Sequence, residues 1–128
     1  MKNKIILITT ILLLCVVITG GCTSAYSDKE SFVLEAQTYT FYEFPMLKGE
    51  YIDMDIMTHE GPIDAYILDS ENLYRYESNL NYFEYDAYYE NVLSKNIKFN
   101  APFEGNWYLV LVNNETYDIS MDISYEVY

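Results

Sequence analysis

Hydrophobic and polar residues alternate with a period of two over most of the chain after its first quarter. The clearest stretch is YDISMDISYEVY, residues 117–128, in which the apolar residues are separated by Asp, Ser or Glu. EYIDMDIM, residues 50–57, repeats this pattern with Ile52, Met54 and Ile56 on one face. Because successive side chains of a strand point to opposite faces, both segments are predicted to be strands with one buried and one solvated face.

The segment NWYLVLVN, residues 106–113, is apolar on both faces, which predicts a central strand covered on both sides. Turn residues in LKGE, HEGP, LDSEN and APFEGN separate the apolar runs. About eight strands without a convincing helix predict an all-β fold, an antiparallel, jelly-roll-like β-sandwich over residues 31–128. SNLNYFEYDAYYENV, residues 78–92, has no clear period and is predicted to be a long loop. Five shorter segments favour strands: SFVLEA, TYTFYEF, IDAYIL, NLYRY and VLSKNIKF.

The start of the chain has a different pattern. Two lysines precede IILITTILLLCVVI, a run of 14 uncharged residues. As a helix this run would span about 21 Å, less than the roughly 30 Å of a bilayer's hydrocarbon core. A basic start, a short apolar run and small residues at a cut site are typical of a secretory signal peptide. Gly20 and Gly21 lead directly to Cys22, which resembles the lipobox of prokaryotic lipoproteins, although Thr19 stands where that pattern usually has Leu, Val or Ile.

The lipobox resemblance implies that the chain is cut before Cys22 and that this thiol carries a diacylglycerol. Residues 1–21 are then a signal peptide of the lipoprotein type, and residues 22–30 a lipidated cysteine with a short polar tether. Cys15 lies in the leader, so the mature chain has no second thiol to pair with Cys22. Lipidation accounts for such a lone exported cysteine. The alternative is an uncleaved signal anchor that extends through Ala25 and remains in the membrane.

The charge of the chain limits the classes of partner that can be expected. The net charge is −13, and loss of two of the 7 basic residues with the leader leaves 5 against 20 acidic ones, a net charge of −15. Nucleic acid is not an expected partner, because phosphate binding needs clustered Lys and Arg. Anionic headgroups repel such a domain, but two acyl chains outweigh this repulsion. The predicted location is the cell membrane, with the domain lipid-anchored on the extracytoplasmic side.

Two long segments carry a resemblance to a family: GEYIDMDIMTHEGPIDAYILDSENLYRY and IKFNAPFEGNWYLVLVNNETYDISMDISYEVY. They resemble small prokaryotic β-sandwich domains of the GOLD and pre-peptidase C-terminal (PPC) groups. The shared features are a Gly turn before a strand at Gly49, an Asp-x-Tyr-x-Leu-like strand at 64–68, a Phe-x-Ala-Pro-x-x-Gly-x-Trp turn at 99–107, and a closing Asn at Asn113. The resemblance implies an accessory or interaction module and transfers no catalytic residue.

Residues that usually carry catalysis are scarce. His59 is the only histidine, in the turn MTHEGP, and neither a Gly-x-Ser-x-Gly motif nor a glycine-rich phosphate loop is present in the sequence. The sequence also lacks a Cys/His cluster of the kind that binds zinc. Catalysis would have to rely on carboxylates alone, so the protein is predicted not to be an enzyme.

Carboxylates could nevertheless bind a cation. Asp53 and Asp55 project from the same face of one predicted strand, close enough to share a hard cation with Asp64, or with Asp118 and Asp122 if their strands lie alongside. Oxygen ligands suit calcium, which is the one cofactor that the sequence suggests. The competing interpretation is that these carboxylates only form the wet faces of strands in a very acidic protein.

Tyrosine is the second notable feature, with 15 residues. Tyr82, Tyr85, Tyr88 and Tyr89 crowd into the predicted long loop among carboxylates, and their rings and hydroxyls could form a contact surface for a protein or a sugar. Alternatively, the loop only covers one end of the core. A sequon, NET, at Asn114 is a candidate for glycosylation of an exported chain.

The sequence therefore predicts a membrane-anchored, extracytoplasmic β-sandwich that binds or scaffolds and does not catalyse. Its expected partners are the membrane, through the lipid anchor, and an envelope protein or a carbohydrate. The alternatives are a calcium- or carbohydrate-binding accessory module of an envelope partner, a signal-anchored membrane protein and, least favoured, a carboxylate-only hydrolase.

Overall fold

The computed structural model describes residues 26–80 and 82–128. The predicted signal peptide, the lipidation site Cys22 and the first part of the tether lie outside the described residues, so these remain predictions. Within the described part of the chain, no helix is long and apolar enough to cross a membrane.

Eight strands and one helix form the fold of the described residues. They are β1 Tyr26–Leu34, β2 Tyr39–Met46, β3 Tyr51–Thr58, β4 Ile63–Asp69, α1 Ser70–Glu77, β5 Ala87–Val92, β6 Ser94–Asn100, β7 Gly105–Val112 and β8 Ile119–Val127. Sheet A has the strand order β1-β8-β3-β6 and sheet B the order β2-β7-β4-β5, and all pairs are antiparallel. The first strand thus pairs with the last, the second with the seventh, the third with the sixth and the fourth with the fifth. This nested pairing is that of a jelly roll and confirms the predicted fold.

The main core lies between the two sheets, as the period-two patterns predict. Ile52, Met54 and Ile56 of β3 are each 1% exposed and face inward. The neighbouring strand β8 alternates in the same way, and its Ile123 lies directly opposite Ile56 in the register. Trp107 at the start of β7 is also buried in this core. Burial of these large side chains supplies most of the hydrophobic stabilisation of the sandwich.

Strand β7 is central and covered on both sides, as predicted. Leu109 and Leu111 face the core between the sheets. Val110 and Val112 face the opposite way into a second apolar cluster, which Leu73 of α1 helps to form. The outer face of sheet B is therefore not a solvated face, whereas the outer face of sheet A is.

The helix α1 corrects two predictions, since LDSEN was expected to be a turn and NLYRY a strand. Asp69 caps the helix, with its Oδ1 accepting a hydrogen bond from the Asn72 backbone N–H at 2.8 Å. Glu71 lies in the first turn and Arg75 in the last, where each charge suits the helix dipole. This capping pattern and the burial of Leu73 outweigh the strand preference of the tyrosines.

The predicted long loop over residues 78–92 is also partly wrong. Its second half forms β5, which pairs with β4 through a register shift between Ile63 and Ala65, so the loop itself spans only residues 78–86. The segment VLSKNIKF is divided between the end of β5 and β6.

The part of the predicted tether from Tyr26 to Glu30 belongs to β1, where it pairs with β8 from Val127 to Ile123. Residues 123–127 of β8 need this partner. Without it, the backbone N–H and C=O groups on the β1 side of these residues would have no hydrogen-bond partner within the fold.

Candidate binding surface

Aromatic rings cover much of the outer face of sheet B. Tyr66, which projects outward from β4, lies near the centre of this cluster. Its ring stacks on Tyr88 with 4.5 Å between centroids and an interplanar angle of 19°. It also contacts Phe83 at 5.6 Å, Tyr85 at 5.9 Å and Tyr76 of α1 at 6.0 Å. Aromatic pairs at these separations add stabilisation beyond the area that they bury.

Residues 83–86 are fixed to α1 and β4 by hydrogen bonds and by ring packing. The Glu84 backbone N–H donates to Asn72 Oδ1 at 2.7 Å, and the Asp86 N–H donates to the Ile67 carbonyl at 3.0 Å. Phe83 directly precedes the first anchor, and its ring is half-buried against Tyr66 and Tyr76. Residues 83–86 therefore have a defined path over the sheet.

Two tyrosines of this loop point into solvent. Tyr82 is 65% exposed and Tyr85 is 53% exposed. Tyr82 lies under the guanidinium of Arg75, whose Cζ is 5.4 Å from the ring centroid. We use the term aromatic surface for Tyr66, Tyr82, Phe83, Tyr85 and Tyr88.

Of the four tyrosines predicted to form a contact surface, Tyr85 and Tyr88 pack on Tyr66 and on each other, and Tyr82 lies beside Arg75 of α1 on the same side of the fold. Tyr82, Tyr85 and Tyr88 belong to the aromatic surface. Tyr89 does not, because it follows Tyr88 in strand β5 and so faces the core between the sheets, with the Lys95 ammonium 4.8 Å from its ring centroid. Sequence reasoning missed Tyr66. The outward alternation of Asp64, Tyr66 and Leu68 along β4 was the signal that could have found it.

The hydroxyl groups of the buried part of the cluster stay protonated at neutral pH. Burial raises the pKa of Tyr76 to about 12, and the Asp64 carboxylate adds to this shift. Burial, followed by the neighbouring Tyr88, also raises the pKa of Tyr66 above its usual range. Neutral phenols of this kind can donate as well as accept hydrogen bonds.

Several carboxylates near the aromatic surface have no ion-pair partner among the described residues. Burial raises the pKa of Asp86, and the charges of Asp69 and Glu84 contribute to this shift. Within residues 26–80 and 82–128, no lysine or arginine forms an ion pair with Glu84, Asp86 or Glu90. These side chains are exposed acceptors beside exposed rings.

The outer face of sheet A has a different chemistry, since its carboxylates have partners. The Asn96 amide Nδ2 lies 2.7 Å from Asp53 Oδ1 and 2.9 Å from Asp55 Oδ1, and so bridges the two carboxylates. Lys98 Nζ lies 3.8 Å from the second oxygen of Asp53. Two adjoining depressions of about 530 and 510 Å³ on this face share Lys29, Asp55, Asn96 and Ser124 in their linings. We call them together the polar trough.

A hydrogen-bonded group at one end of the same face does not form a catalytic triad. His59 Nε2 lies 2.8 Å from Asp122 Oδ2, and the Ser31 hydroxyl donates to the other oxygen of the same carboxylate. The hydroxyl is thus bonded to the acid and not to the imidazole, which would have to act as its base. Hydrogen bonds from Ser31 and then His59 lower the pKa of Asp122.

The predicted metal set of Asp53, Asp55 and Asp64 is not brought together. Asp53 and Asp55 project from the outer face of sheet A, whereas Asp64 projects from the outer face of sheet B, because β3 and β4 lie in different sheets. The Asn96 amide lies between the first two carboxylates. In the described ranges, no three side chains of His, Cys, Asp or Glu are placed to hold a metal ion.

Asn114 of the predicted sequon lies exposed in the connection between β7 and β8. Its Nδ2 donates to Asp64 Oδ2 at 2.8 Å, and the other oxygen of Asp64 accepts the Asn91 backbone N–H at 3.0 Å. The side chain is accessible, and glycosylation at this position remains a prediction.

Comparison with known proteins gives structural neighbours only. No protein-family model matches the chain, and no curated protein matches it. The pre-peptidase C-terminal domain of a Bacillus anthracis collagenase is 20% identical over 78% of this chain and 87% of that domain, with a TM-score of 0.53. Aeromonas hydrophila PliG, a periplasmic lysozyme inhibitor of g-type lysozyme, is 6% identical over 87% of this chain and 93% of PliG, with a TM-score of 0.51.

A third solved structure, the Yersinia pseudotuberculosis-derived mitogen, is 6% identical over 80% of this chain and 86% of that protein, with a TM-score of 0.56. At such identities the likeness establishes the β-sandwich fold alone. The resemblance to PPC domains that the sequence suggested is thus confirmed at the level of the fold.

Proposed function

We propose that this protein is a non-catalytic binding module that contacts a protein partner through its aromatic surface, and that a lipid on Cys22 holds it at the extracytoplasmic side of the membrane. One observation carries the binding proposal. Two tyrosines that are more than half exposed, Tyr82 and Tyr85, lie on a loop fixed to the fold by a packed aromatic cluster.

A fixed loop favours binding because little conformational freedom is lost when a partner docks. Phe83, which separates the two exposed tyrosines in sequence, is held by Tyr66 and Tyr76. Tyrosine also provides a large, rigid ring and a polar hydroxyl, a combination that is enriched at protein interfaces.

The structural neighbours support the class of function. PliG is described as an inhibitor of an enzyme, g-type lysozyme, so a β-sandwich with this architecture can serve protein binding. The PPC domain belongs to a collagenase. At 6% and 20% identity these proteins support binding as a class and identify no partner of this chain.

The proposed anchor would keep the sandwich close to the membrane. Strand β1 begins at Tyr26, so four residue steps separate it from Cys22 and span at most about 14 Å. The intact mass of the protein from a membrane fraction tests the anchor. A mass fitting residues 22–128 plus acyl chains supports it, and an unacylated mass that includes Met1 contradicts it.

Photocross-linking in the source cells tests the binding proposal. The full chain carries a photoreactive phenylalanine in place of Tyr85, and in the control strain in place of Asn96, on the opposite face of the sandwich. We expect a discrete cross-linked protein from position 85 and none from position 96. Equal cross-linking at both positions, or none at position 85, would contradict the proposal.

The polar trough favours carbohydrate binding as a second candidate function. Its lining combines the Asn96 amide, the Ser124 hydroxyl, the Lys29 ammonium and the Asp55 carboxylate, which together offer donors and acceptors for sugar hydroxyls. Titration calorimetry with soluble cell-wall oligosaccharides tests this candidate. Binding that Asn96→Ala weakens and Tyr85→Ala leaves unchanged supports it, and absence of heat at millimolar sugar removes it.

A further inference from the structure

The segment that builds the aromatic surface is strongly acidic. Residues 64–90 contain seven acidic residues and one basic residue, Arg75, which gives a net charge of −6. The four strands of sheet A contain six acidic residues and three lysines, a net charge of −3. The acidic residues of the first segment are Asp64, Asp69, Glu71, Glu77, Glu84, Asp86 and Glu90.

The carboxylates that flank Tyr85 in sequence have no ion-pair partner among the described residues. The one arginine of the segment pairs with Glu71 on α1. Glu84 and Asp86 flank Tyr85 in sequence and hold the loop through their backbone N–H groups, while their side chains make no ion pair with the described residues. Mutual repulsion among such charges costs stability that a cationic ligand would recover.

One contact already shows how a cation fits this surface. The guanidinium of Arg75 lies over the ring of Tyr82 at 5.4 Å, within the range of cation–π attraction. Tyr85, which is 53% exposed, offers a second ring beside carboxylates that could accept hydrogen bonds from the same cation. A ring face with adjacent carboxylates suits arginine and lysine side chains.

We propose that the partner of the aromatic surface is a cationic protein, which places arginine or lysine side chains over Tyr82 and Tyr85 and among Glu84, Asp86 and Glu90. This inference rests on the proposed function, since it names the class of partner for the same surface. A second copy of the chain is disfavoured as the occupant because its corresponding surface carries the same negative charge.

The test uses the full chain with the photoreactive residue at position 85 and two matched triple variants. The first, Glu84→Gln with Asp86→Asn and Glu90→Gln, removes three charges beside the aromatic surface. The control, Asp53→Asn with Asp55→Asn and Glu126→Gln, removes three charges from the outer face of sheet A. Each amide keeps an oxygen acceptor, so circular dichroism should show both variants folded.

We expect the first variant to reduce the cross-linking yield about tenfold and the control to change it less than twofold. Raising salt from about 0.05 M to about 0.5 M should act like the first variant, because it screens surface charge. Mass spectrometry should locate the cross-link in a peptide of the partner that contains arginine or lysine.

Four results would overturn the inference. Equal losses of cross-linking yield in both variants would indicate that the partner is attracted by the net charge of the protein and not by this surface. A product with twice the mass of the chain would identify a second copy as the occupant. A cross-link that neither the first variant nor salt weakens would refute the cationic partner and leave the proposed function intact, whereas absence of any cross-link at position 85 would refute both.

Discussion

The two outer faces of the sandwich both carry carboxylates but differ in what surrounds them. On sheet A, Asp53 and Asp55 share the Asn96 amide, and Asp122 accepts hydrogen bonds from Ser31 and His59. Polar side chains of the fold itself donate hydrogen bonds to these carboxylates. Among the described residues, this face has no packed aromatic cluster.

The outer face of sheet B is covered by α1 and by the loop over residues 78–86. Its rings pack on one another, while Glu84 and Asp86 carry charges that no described residue pairs with. Carboxylates thus occur in two different environments in this small domain. Paired carboxylates make a stable, soluble face, and unpaired carboxylates beside exposed rings make a face suited to recognition.

Truncation of Tyr66 should give the largest effect on stability and test whether the aromatic cluster is structural. Tyr66→Ala removes a ring that contacts four others, and we expect it to lower the free energy of unfolding by about 2–3 kcal/mol. Tyr51→Ala on sheet A, which removes a ring stacked on Tyr128 alone, should cost less than about 1 kcal/mol. Urea unfolding at pH 7 measures both values, and equal losses would contradict the distinction between the two faces.

Much of the sandwich could be predicted from the sequence because its strands have one dry and one wet face. β3 and β8 alternate without a break, and the apolar run of β7 shows that both of its sides are covered. The period of two is a local property, so it can be recognised without knowing which strands are neighbours.

The candidate site was harder to predict because it depends on which elements meet. Asp53 and Asp64 appear close in sequence, yet only the strand order reveals that they project from opposite faces of the molecule. The tyrosines of NLYRY favour a strand, whereas the cap at Asp69 and the burial of Leu73 make this segment a helix. The alternation along β4 indicates that Tyr66 faces outward, but its place in the site depends on the loop that packs against its ring.

Removal of the loop anchor at Asn72 should have the next largest effect. Its side chain is 9% exposed, donates to Asp69 Oδ1 at 3.0 Å and accepts from the Glu84 N–H at 2.7 Å. Asn72→Ala should cost about 1–2 kcal/mol because it leaves the Glu84 N–H without its acceptor and removes one of the two hydrogen bonds that Asp69 Oδ1 accepts. Asn96→Ala on sheet A also removes two hydrogen bonds to carboxylates, but at an exposed position, and should cost less than about 1 kcal/mol.

Hydrogen exchange at the Glu84 amide provides a second measure of the same anchor. This amide should exchange faster in Asn72→Ala and at an unchanged rate in Asn96→Ala. Unchanged protection in Asn72→Ala would mean that ring packing alone holds the loop.

Truncation of Tyr85 should barely affect stability, which separates the exposed edge of the aromatic surface from its packed centre. Tyr85 is 53% exposed, so we expect Tyr85→Ala to change the free energy of unfolding by about 0.5 kcal/mol or less. Tyr74→Ala, at a residue of α1 that is 69% exposed, is the matched control and should behave alike. A loss of about 2 kcal/mol or more in Tyr85→Ala would make this ring part of the core and remove it from the proposed interface.

The smallest effects should come from pH, and they should have opposite signs on the two faces. Burial, together with Asp69 and Glu84, raises the pKa of Asp86, so folding disfavours its ionised form. Asp86→Asn should therefore stabilise the protein at pH 7. This gain should shrink as pH falls through the raised pKa and vanish below about 3.9, the value for an unfolded chain.

Asp122 should behave in the reverse way. Hydrogen bonds from Ser31 and His59 lower its pKa, so its ionised form contributes stability that is present above about pH 3.9 and lost as pH falls through the lowered pKa. Asp122→Asn should destabilise the protein at pH 7 and match the wild type at the acidic limit. Urea midpoints for the three proteins between pH 3 and 8 test both signs. Asp86 is desolvated and lies near like charges, whereas Asp122 accepts hydrogen bonds from donors. Stability changes of the same sign for the two variants at pH 7 would therefore contradict the contrast between the faces.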